Sequence, residues 1–354
     1  MRQTIGLTLI ISVTVLISCG RIEGLKDAAL SDIQAGRFDA AIEKYRIILQ
    51  SEHDNLSNLN NLGWIYFKSD SLDRAEKLLK QALSLSTDDQ LHSMIDVNLR
   101  LTTAFKNCKA LLAKGNYQLA LDTLLTLTRS YQTNELGNKY LALCYEGLNQ
   151  PKLARENWEK IVNRYVGSDV RNHYYLLAKD KMMGIGVERI QQGDFADAIE
   201  IFRLLLTVEP DSAATLNSLG WALFRNEEWK AAKDILENTH EKATSRVVKD
   251  SIETNLFMVT TFLAGEYSLS EEDFQSALTE FQKVTERYER TDMDLKYLAL
   301  CYEGLEQNEL AQQCWQKIID MYKDIDFQNV YKESEYENKY YELAKERLSK
   351  YKVF

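Results

Sequence analysis

Proline and glycine are scarce in this sequence, with two prolines and 15 glycines among 354 residues. Sheet proteins place such residues at the turns between their strands, so a chain with so few of them offers little that would separate strands. Hydrophobic residues make up 45% of the chain, an ordinary proportion for a folded protein. The composition therefore favours an all-helical fold.

An excess of basic residues is also absent. The formal net charge is −10 at pH 7, and the isoelectric point is about 5.2. A protein that binds nucleic acid presents lysines and arginines to the phosphate backbone on one face, and the sequence shows no such face. We expect no nucleic-acid partner.

Sequence motifs of catalysis are missing as well. The chain has no nucleophile elbow, phosphate-binding loop, HExxH or CxxC spacing. Its four histidines are scattered, and none has a second candidate ligand at helical spacing; they are His53, His92, His173 and His240. We predict no catalytic residue, metal site or cofactor, and we expect that the protein is not an enzyme.

The one long apolar run extends from residue 5 to residue 17. Thirteen helical residues span about 20 Å, which is less than the bilayer core of about 30 Å. Arg2 precedes the run, and a small residue followed by a cysteine ends it. Residues 1–18 are therefore predicted to be a signal peptide.

Residues 16–19, Leu-Ile-Ser-Cys, resemble the bacterial lipobox, in which the cysteine receives a diacylglycerol before cleavage. The resemblance implies that Cys19 is lipidated, that residues 19–24 form a short tether, and that the protein is anchored in the cell envelope. Gly20, where an aspartate would retain the protein, implies the outer membrane of a Gram-negative bacterium. In a Gram-positive source the anchor would lie on the outer face of the single membrane. The alternative is an ordinary signal peptide with a chance cysteine.

A long stretch of the chain occurs twice. Lys139–Ile161, KYLALCYEGLNQPKLARENWEKI, recurs as KYLALCYEGLEQNELAQQCWQKI at Lys296–Ile318, an offset of 157 residues. The same offset relates Gly36 to Gly193, Gly63 to Gly220, and Phe105 to Phe262. The chain is therefore an internal duplication.

A shorter repeat, marked by alanine, lies inside each copy. The marker residues are Ala41, Ala75, Ala120, Ala154, Ala198, Ala232, Ala277 and Ala311. They are 34 residues apart within pairs, which is a helix-turn-helix period, and 44 or 45 residues apart between pairs. A small residue precedes each marker by twelve positions, and a bulky residue follows it by one helical turn. This pattern predicts two helices in close contact in each of eight repeats.

The segment Asn61-Leu62-Gly63, with Tyr66 and Ala75, resembles the signature of the tetratricopeptide repeat. The resemblance implies an all-α solenoid of about eight repeats in two halves, residues 25–178 and 179–330, with a capping helix at 331–354. The chain departs from the family in having a repeat-ending proline only at Pro210.

Alternate repeats are predicted to begin with an overlong helix. An N-cap signal at residues 86–89 precedes a stretch of about 26 residues without a helix breaker, as far as Gly115. Ser168 and Thr244 are expected to open two further long helices, towards Gln192 and Gly265. We expect the extra length to project from the stack as a shelf.

A second apolar stripe beside the core stripe marks a candidate groove on the first helices. In the family this stripe lines the surface that binds peptides, and the resemblance implies the same here. The predicted partner-binding residues are Asn60, Trp64, Phe67, Phe105, Lys139, Leu143, Asn217, Trp221, Phe224, Phe262, Lys296 and Leu300, with Glu146 and Glu303 as polar companions. The alternative is that Trp64 and Trp221 pack on the long helices and are never exposed. The family's carboxylate clamp is disfavoured because leucine, not asparagine, follows each lysine by four residues.

Three functions stay open on this basis. The favoured one is a membrane-anchored scaffold or adaptor lipoprotein that binds envelope proteins through the groove. The alternative is a glycan-binding lipoprotein whose groove aromatics stack on sugar rings. Homo-oligomerisation is a third, and the oligomeric state is not predicted. Cys108, Cys144, Cys301 and Cys314 are expected to be small core residues, although a disulfide between Cys301 and Cys314 is open.

Overall fold

The computed structural model describes residues 21–130, 135–288, 291–322 and 339–351, and these ranges contain helices and no strand. The predicted signal peptide and Cys19 lie outside the described residues. The predicted tether is shorter than expected, because residues 21–24 already belong to the first helix. The all-α solenoid of helical repeats is confirmed.

Seventeen helices lie in the described part of the chain. They are α1 (21–34), α2 (Phe38–Ser51), α3 (Leu56–Lys68), α4 (Leu72–Leu85), α5 (Asp89–Ala113), α6 (Tyr117–Ser130), α7 (Glu135–Gly147), α8 (Pro151–Asn163), α9 (His173–Gln192), α10 (Phe195–Val208), α11 (Ala213–Arg225), α12 (Trp229–Lys242), α13 (Arg246–Ser270), α14 (Phe274–Arg287), α15 (Asp292–Gly304), α16 (Asn308–Tyr322) and α17 (Lys339–Tyr351).

Each repeat turns at a residue in the left-handed region, five positions before its marker alanine. The eight residues are Gly36, Asp70, Gly115, Asn149, Gly193, Glu227, Glu272 and Glu306, with φ between 55° and 86°. Three are glycines, which adopt this conformation without steric cost. The others bear side chains, and each of these turns is closed by a local main-chain hydrogen bond, as from the Ser71 nitrogen to the Tyr66 oxygen.

The predicted contact between small and bulky residues is confirmed. A Cβ built at Gly63 would lie 2.8 Å from Leu79, and one at Gly220 would lie 2.6 Å from Leu236. The marker alanines are all buried, and none is more than 2% exposed. The two helices of each repeat therefore meet at the small residue, where the bulky side chain fills the space.

The long helices form, but they do not make a shelf. Helices α5 and α13 have 25 residues each and α9 has 20. The first part of α5 packs back on the preceding repeat, where Ile95 is fully buried against Leu59, Leu79 and Ala82. Its copy Ile252 in α13 is also fully buried. The shelf prediction is wrong because the extra turns carry apolar residues that cover the end of that repeat.

Two of the predicted long-helix boundaries are also wrong. Helix α9 begins at His173, not at Ser168, and the Asn172 side chain accepts hydrogen bonds from the main-chain nitrogens of Tyr174 and Tyr175. Helix α13 continues past Gly265 to Ser270. Gly265 is a packing residue, since a Cβ there would lie 2.5 Å from the Phe281 ring.

The chain divides into two compact units, Met1–Met182 and Met183–Phe354. In the first, the Tyr174 hydroxyl at the start of α9 donates to the main-chain oxygen of Lys68, at 2.7 Å. In the second, the Tyr340 hydroxyl of α17 donates to the main-chain oxygen of Arg225, at 3.3 Å. Helix α17 thus closes the second unit as the start of α9 closes the first; the rest of the predicted cap lies outside the described residues.

Candidate partner-binding groove

One position recurs on the first helix of every repeat and keeps solvent exposure. It directly follows the small packing residue, and we call this set the inner stripe. Its members are Leu30, Trp64, Lys109 and Leu143 in the first unit, and Val187, Trp221, Glu266 and Leu300 in the second. All eight keep solvent exposure. Each unit therefore presents three apolar side chains and one charged one.

The two stripe tryptophans are half-buried and lie on aromatic bases of the same construction. The Trp64 ring stacks on Phe67 with centroids 4.8 Å apart, and Phe67 meets Phe105 edge-on at 5.2 Å. In the second unit Trp221 lies 5.2 Å from Phe224. A base of buried rings fixes each indole, while one part of it faces solvent.

A hydrogen bond between two asparagine side chains holds each helix that carries one of these tryptophans. The Asn98 side chain donates to the Asn60 side-chain oxygen at 2.9 Å, and its copy Asn255 donates to Asn217 at the same distance. Asn60 and Asn217 each lie one helical turn before a tryptophan. These bonds therefore tie α3 to α5 and α11 to α13 close to Trp64 and Trp221. The same asparagine contact therefore holds the tryptophan-bearing helix in both units.

Five of the twelve predicted groove residues lie in the interior. Asn60, Phe67, Phe105, Phe224 and Phe262 are each at most 4% exposed. They support the surface and cannot touch a partner without rearrangement. The other seven keep partial exposure: Trp64, Lys139, Leu143, Asn217, Trp221, Lys296 and Leu300.

Lys139 is engaged within the first unit. Its Nζ lies 2.5 Å from the turn carboxylate of Asp70, which also accepts a hydrogen bond from the Tyr140 hydroxyl at 2.8 Å. Burial, and then the Asp70 charge, raise the pKa of Tyr140 far above its ordinary value. A buried lysine neutralised in this way has little charge left for a ligand.

Lys296 is held in the same way in the second unit, by Glu227 at 2.9 Å. Lys339 of α17 adds a contact of 3.2 Å to the same carboxylate. Burial alone would raise the pKa of Glu227, but Lys296 and Lys339 together hold it below its ordinary value. The two lysines of the predicted groove are therefore structural ties between repeats.

The predicted polar companions are engaged too. Glu146 accepts a hydrogen bond from the Trp158 indole at 2.8 Å and pairs with Lys181 at 2.8 Å. Its copy Glu303 accepts from the Trp315 indole at 2.9 Å and pairs with Arg347 of α17. These carboxylates hold α9 and α17 in place.

Sequence reasoning missed the two charged members of the inner stripe, Lys109 and Glu266. Both are exposed, and neither has an ion-pair partner among the described residues. The signal that identifies them is their position directly after the small packing residues Cys108 and Gly265. Their repeats have no aromatic at this position, which hid the relationship.

The four helical cysteines are buried, and none of them forms a disulfide in the described part of the chain. Burial raises the pKa of the Cys108 thiol to about 11 and those of Cys144 and Cys301 to about 12. Cys301 and Cys314 do not form a disulfide. These residues act as small core side chains.

Metal-binding clusters and membrane-spanning helices are both absent from the described residues. No group of three or more His, Cys, Asp or Glu side chains there is arranged to hold a metal ion. No helix in the same ranges has the length and apolarity needed to cross a bilayer.

Family models of the tetratricopeptide repeat match this chain at residues 26–89, 140–168 and 189–246. Three segments of the chain thus match the tetratricopeptide-repeat family. Proteins built from these repeats generally act as scaffolds for other proteins, and the repeat fold favours protein or peptide partners. The tetratricopeptide-repeat assignment agrees with the observed hairpins and their packing of small residues against large ones.

Several known proteins are similar to this chain. The BBSome complex member BBS4 of Bos taurus is 24% identical over 302 residues, 85% of this chain and 52% of the relative. The chain thus spans about half the length of that relative. A tetratricopeptide repeat protein from Parabacteroides merdae is 18% identical, with 79% of this chain and 98% of that one covered and a TM-score of 0.28. YrrB, described as having an unusual peptide-binding site, is 17% identical, with 59% and 97% covered and a TM-score of 0.31.

Proposed function

We propose that this protein is a membrane-anchored scaffold lipoprotein that binds proteins of the cell envelope through its inner stripe. The observation that carries the proposal is the pair of half-buried tryptophans, Trp64 and Trp221, which keep part of each ring exposed at matched positions of the two units. Tryptophan is the residue type that most often dominates the binding energy of protein interfaces.

The construction of the stripe supports a polypeptide partner. Each tryptophan packs on buried rings, and the helix that carries it is tied to a long helix by an amide hydrogen bond. A partner that covers it loses little conformational entropy of the receptor, because the indole is already ordered. Leu143 and Leu300 extend the apolar surface two repeats further along the chain in each unit.

The anchor is proposed from the sequence of the leader. Cys19 as a lipidated residue would be followed by one residue before the helical residue 21. Two residues reach about 7 Å, so the first repeat would lie against the bilayer. An outer-membrane location is part of the proposal and rests on the lipobox resemblance and on Gly20.

Glycan binding is the weaker candidate. A sugar platform built from Trp64, Phe67, Trp221 and Phe224 needs open ring faces, but Phe67 and Phe224 are no more than 4% exposed. One half-exposed indole in each unit is a small surface for a sugar chain. Glycan binding is therefore kept as an outcome of the test.

The test is affinity co-purification from cross-linked, detergent-solubilised envelopes. It compares the full-length chain with the double variant Trp64→Ala, Trp221→Ala and with a control double variant, Leu119→Ala, Val247→Ala. The control residues are apolar and exposed, at 57% and 79%, but lie outside the stripe. Circular dichroism and thermal unfolding confirm that each variant folds.

We expect the tryptophan variant to lose a specific set of proteins that the control variant retains. Equal protein sets from all three would overturn the stripe as the binding surface. Recovery of glycan with no protein, lost in the tryptophan variant, would replace the proposal with glycan binding.

A further inference from the structure

The charged position of the inner stripe has opposite sign in the two units. Lys109 in α5 and Glu266 in α13 are duplication copies, 157 residues apart. Both are exposed and follow a small residue that packs against the second helix of its repeat. The duplication has kept the position and reversed its charge.

The reversal extends over the neighbouring turns. Residues 100–118, the last part of α5 and the turn after it, carry a net charge of +4. Arg100 is paired with Asp96, and Lys106 with Asp73 and Glu76, which leaves Lys109 and Lys114 as the available positive charges. The equivalent residues 257–275 carry a net charge of −4. Lys114 and its counterpart Glu271 contribute to this difference, and both are exposed.

The charges continue the aromatic base that holds each tryptophan. Phe105, which Phe67 contacts, lies one helical turn before Lys109, on the same face of α5. Phe262, which Phe224 contacts at 5.1 Å, lies one turn before Glu266 on α13. Lys109 therefore lies one turn beyond the ring that supports the base of Trp64, and Glu266 lies one turn beyond the ring that supports the base of Trp221.

Lys109 and Glu266 are available to a partner, whereas the other charged residues of the predicted groove are paired within their own units. Lys139, Lys296, Glu146 and Glu303 are all committed to contacts within their own units. Lys109 and Glu266 have no ion-pair partner among the described residues. Within each stripe they are the charges that a bound chain would meet.

We propose that the two units select polypeptide segments of opposite charge: the first unit binds an apolar segment flanked by acidic residues, and the second binds an apolar segment flanked by basic residues. This inference rests on the proposed function, because it assigns specificity to the same stripe. The duplication then provides two different docking surfaces, so one protein can bring two unlike partners together at the membrane. Like charges brought together at the wrong unit oppose binding, which sharpens the selection.

The experiment uses the two tryptophans as reporters in the full-length chain in detergent. The other three tryptophans, Trp158, Trp229 and Trp315, are at most 3% exposed. In a Trp221→Phe variant the emission change on binding therefore reports on Trp64, and in a Trp64→Phe variant it reports on Trp221. The probes are two synthetic peptides with one Leu-Phe-Leu centre, flanked by glutamates in one and by lysines in the other.

We expect Trp64 to respond to the glutamate peptide and Trp221 to the lysine peptide. At low salt each should prefer its own peptide by roughly fivefold to tenfold, and both preferences should fade as salt screens the charges. Lys109→Glu should reverse the preference at Trp64, and Glu266→Lys should reverse it at Trp221. Both substitutions lie at exposed positions without ion pairs, so folding is preserved.

The outcomes distinguish failure of the charge inference from failure of the proposed function. If both tryptophans respond to both peptides alike, or if the charge reversals change nothing, the inference is overturned while the stripe remains a binding surface. If neither tryptophan responds to either peptide at any salt concentration, the stripe does not bind polypeptide, and the proposed function fails with the inference.

Discussion

Asp70 and Tyr140 lie 70 residues apart in the sequence, and the Tyr140 hydroxyl donates a 2.8 Å hydrogen bond to the Asp70 carboxylate. Asp70 is the turn residue of its repeat, held at φ 61°. The pair Glu227 and Tyr297 repeats the contact in the second unit, at 3.1 Å. An acidic turn residue thus joins the second repeat of each unit to the fourth.

Asp70→Ala is expected to destabilise the first unit by about 2–3 kcal/mol. It leaves Lys139, whose side chain is 17% exposed, without its counter-charge, and such uncompensated charges cost 3–5 kcal/mol when fully buried. Urea unfolding measures the change. Asp73→Ala is the matched control, because Asp73 is 85% exposed and its loss should cost less than about 1 kcal/mol. An equal loss of unfolding free energy in the two variants would show that the contact between Asp70 and Lys139 does not stabilise the unit.

Glu227 should make the second unit sensitive to acid. Lys296 and Lys339 hold its pKa below the ordinary value of 4.5 in the folded state, against the effect of burial. A depressed carboxylate pKa contributes stability that is present above the unfolded pKa and is lost as pH falls through the folded pKa. The unfolding temperature, measured from pH 7 to pH 3, should fall below pH 4.5 in the parent protein. It should fall less in Glu227→Gln. Parallel curves for the two proteins would contradict the assignment.

Two glycines of α9 should respond oppositely to alanine. A Cβ at Gly184 meets nothing within 4 Å, whereas one at Gly186 would lie 2.6 Å from the Phe202 ring. Gly184→Ala should stabilise by about 1 kcal/mol through helix propensity. Gly186→Ala gains the same propensity but overpacks the contact, which costs about 1–3 kcal/mol. Denaturant midpoints rank the two, and a more stable Gly186→Ala would show that the helices separate freely at the small residue.

Thiol titration tests both the core cysteines and the lipid anchor. The chain has five cysteines, and burial raises the pKa of Cys144 to about 12. At pH 8 the native protein should therefore react slowly with a thiol reagent, since the thiolate is the reactive form. After unfolding, purified membrane-derived protein should show four thiols if Cys19 is acylated. Five thiols would refute lipidation, and rapid reaction of the native protein would refute burial of the core cysteines.

Much of the fold could be predicted because it is encoded at short range. The pairing of two helices in each repeat, the marker Ala75 and the packing of Gly63 against Leu79 all follow from spacings within one repeat. A helix brings residues four positions apart together by its geometry alone. The groove tryptophans followed from the same periodicity.

The predictions that failed depend on what packs against an element from elsewhere in the chain. The length of α5 was predicted, but Ile95 lies against Leu59 and Leu79, so the extra turns are covered and form no shelf. A helical period identifies an apolar face and does not say which neighbour buries it. The start of α9 differed because the Asn172 side chain caps it.

The sequence by itself determined that this protein is a duplicated array of eight helical hairpins, because each hairpin is specified by residues within one repeat. Only the tertiary structure decided which groove side chains face solvent. Lys139 is committed to Asp70 across 69 residues, and Phe67 is buried beneath Trp64 on Phe105 of the next repeat. Such pairings arise from how repeats pack against one another, and no spacing within a repeat encodes them.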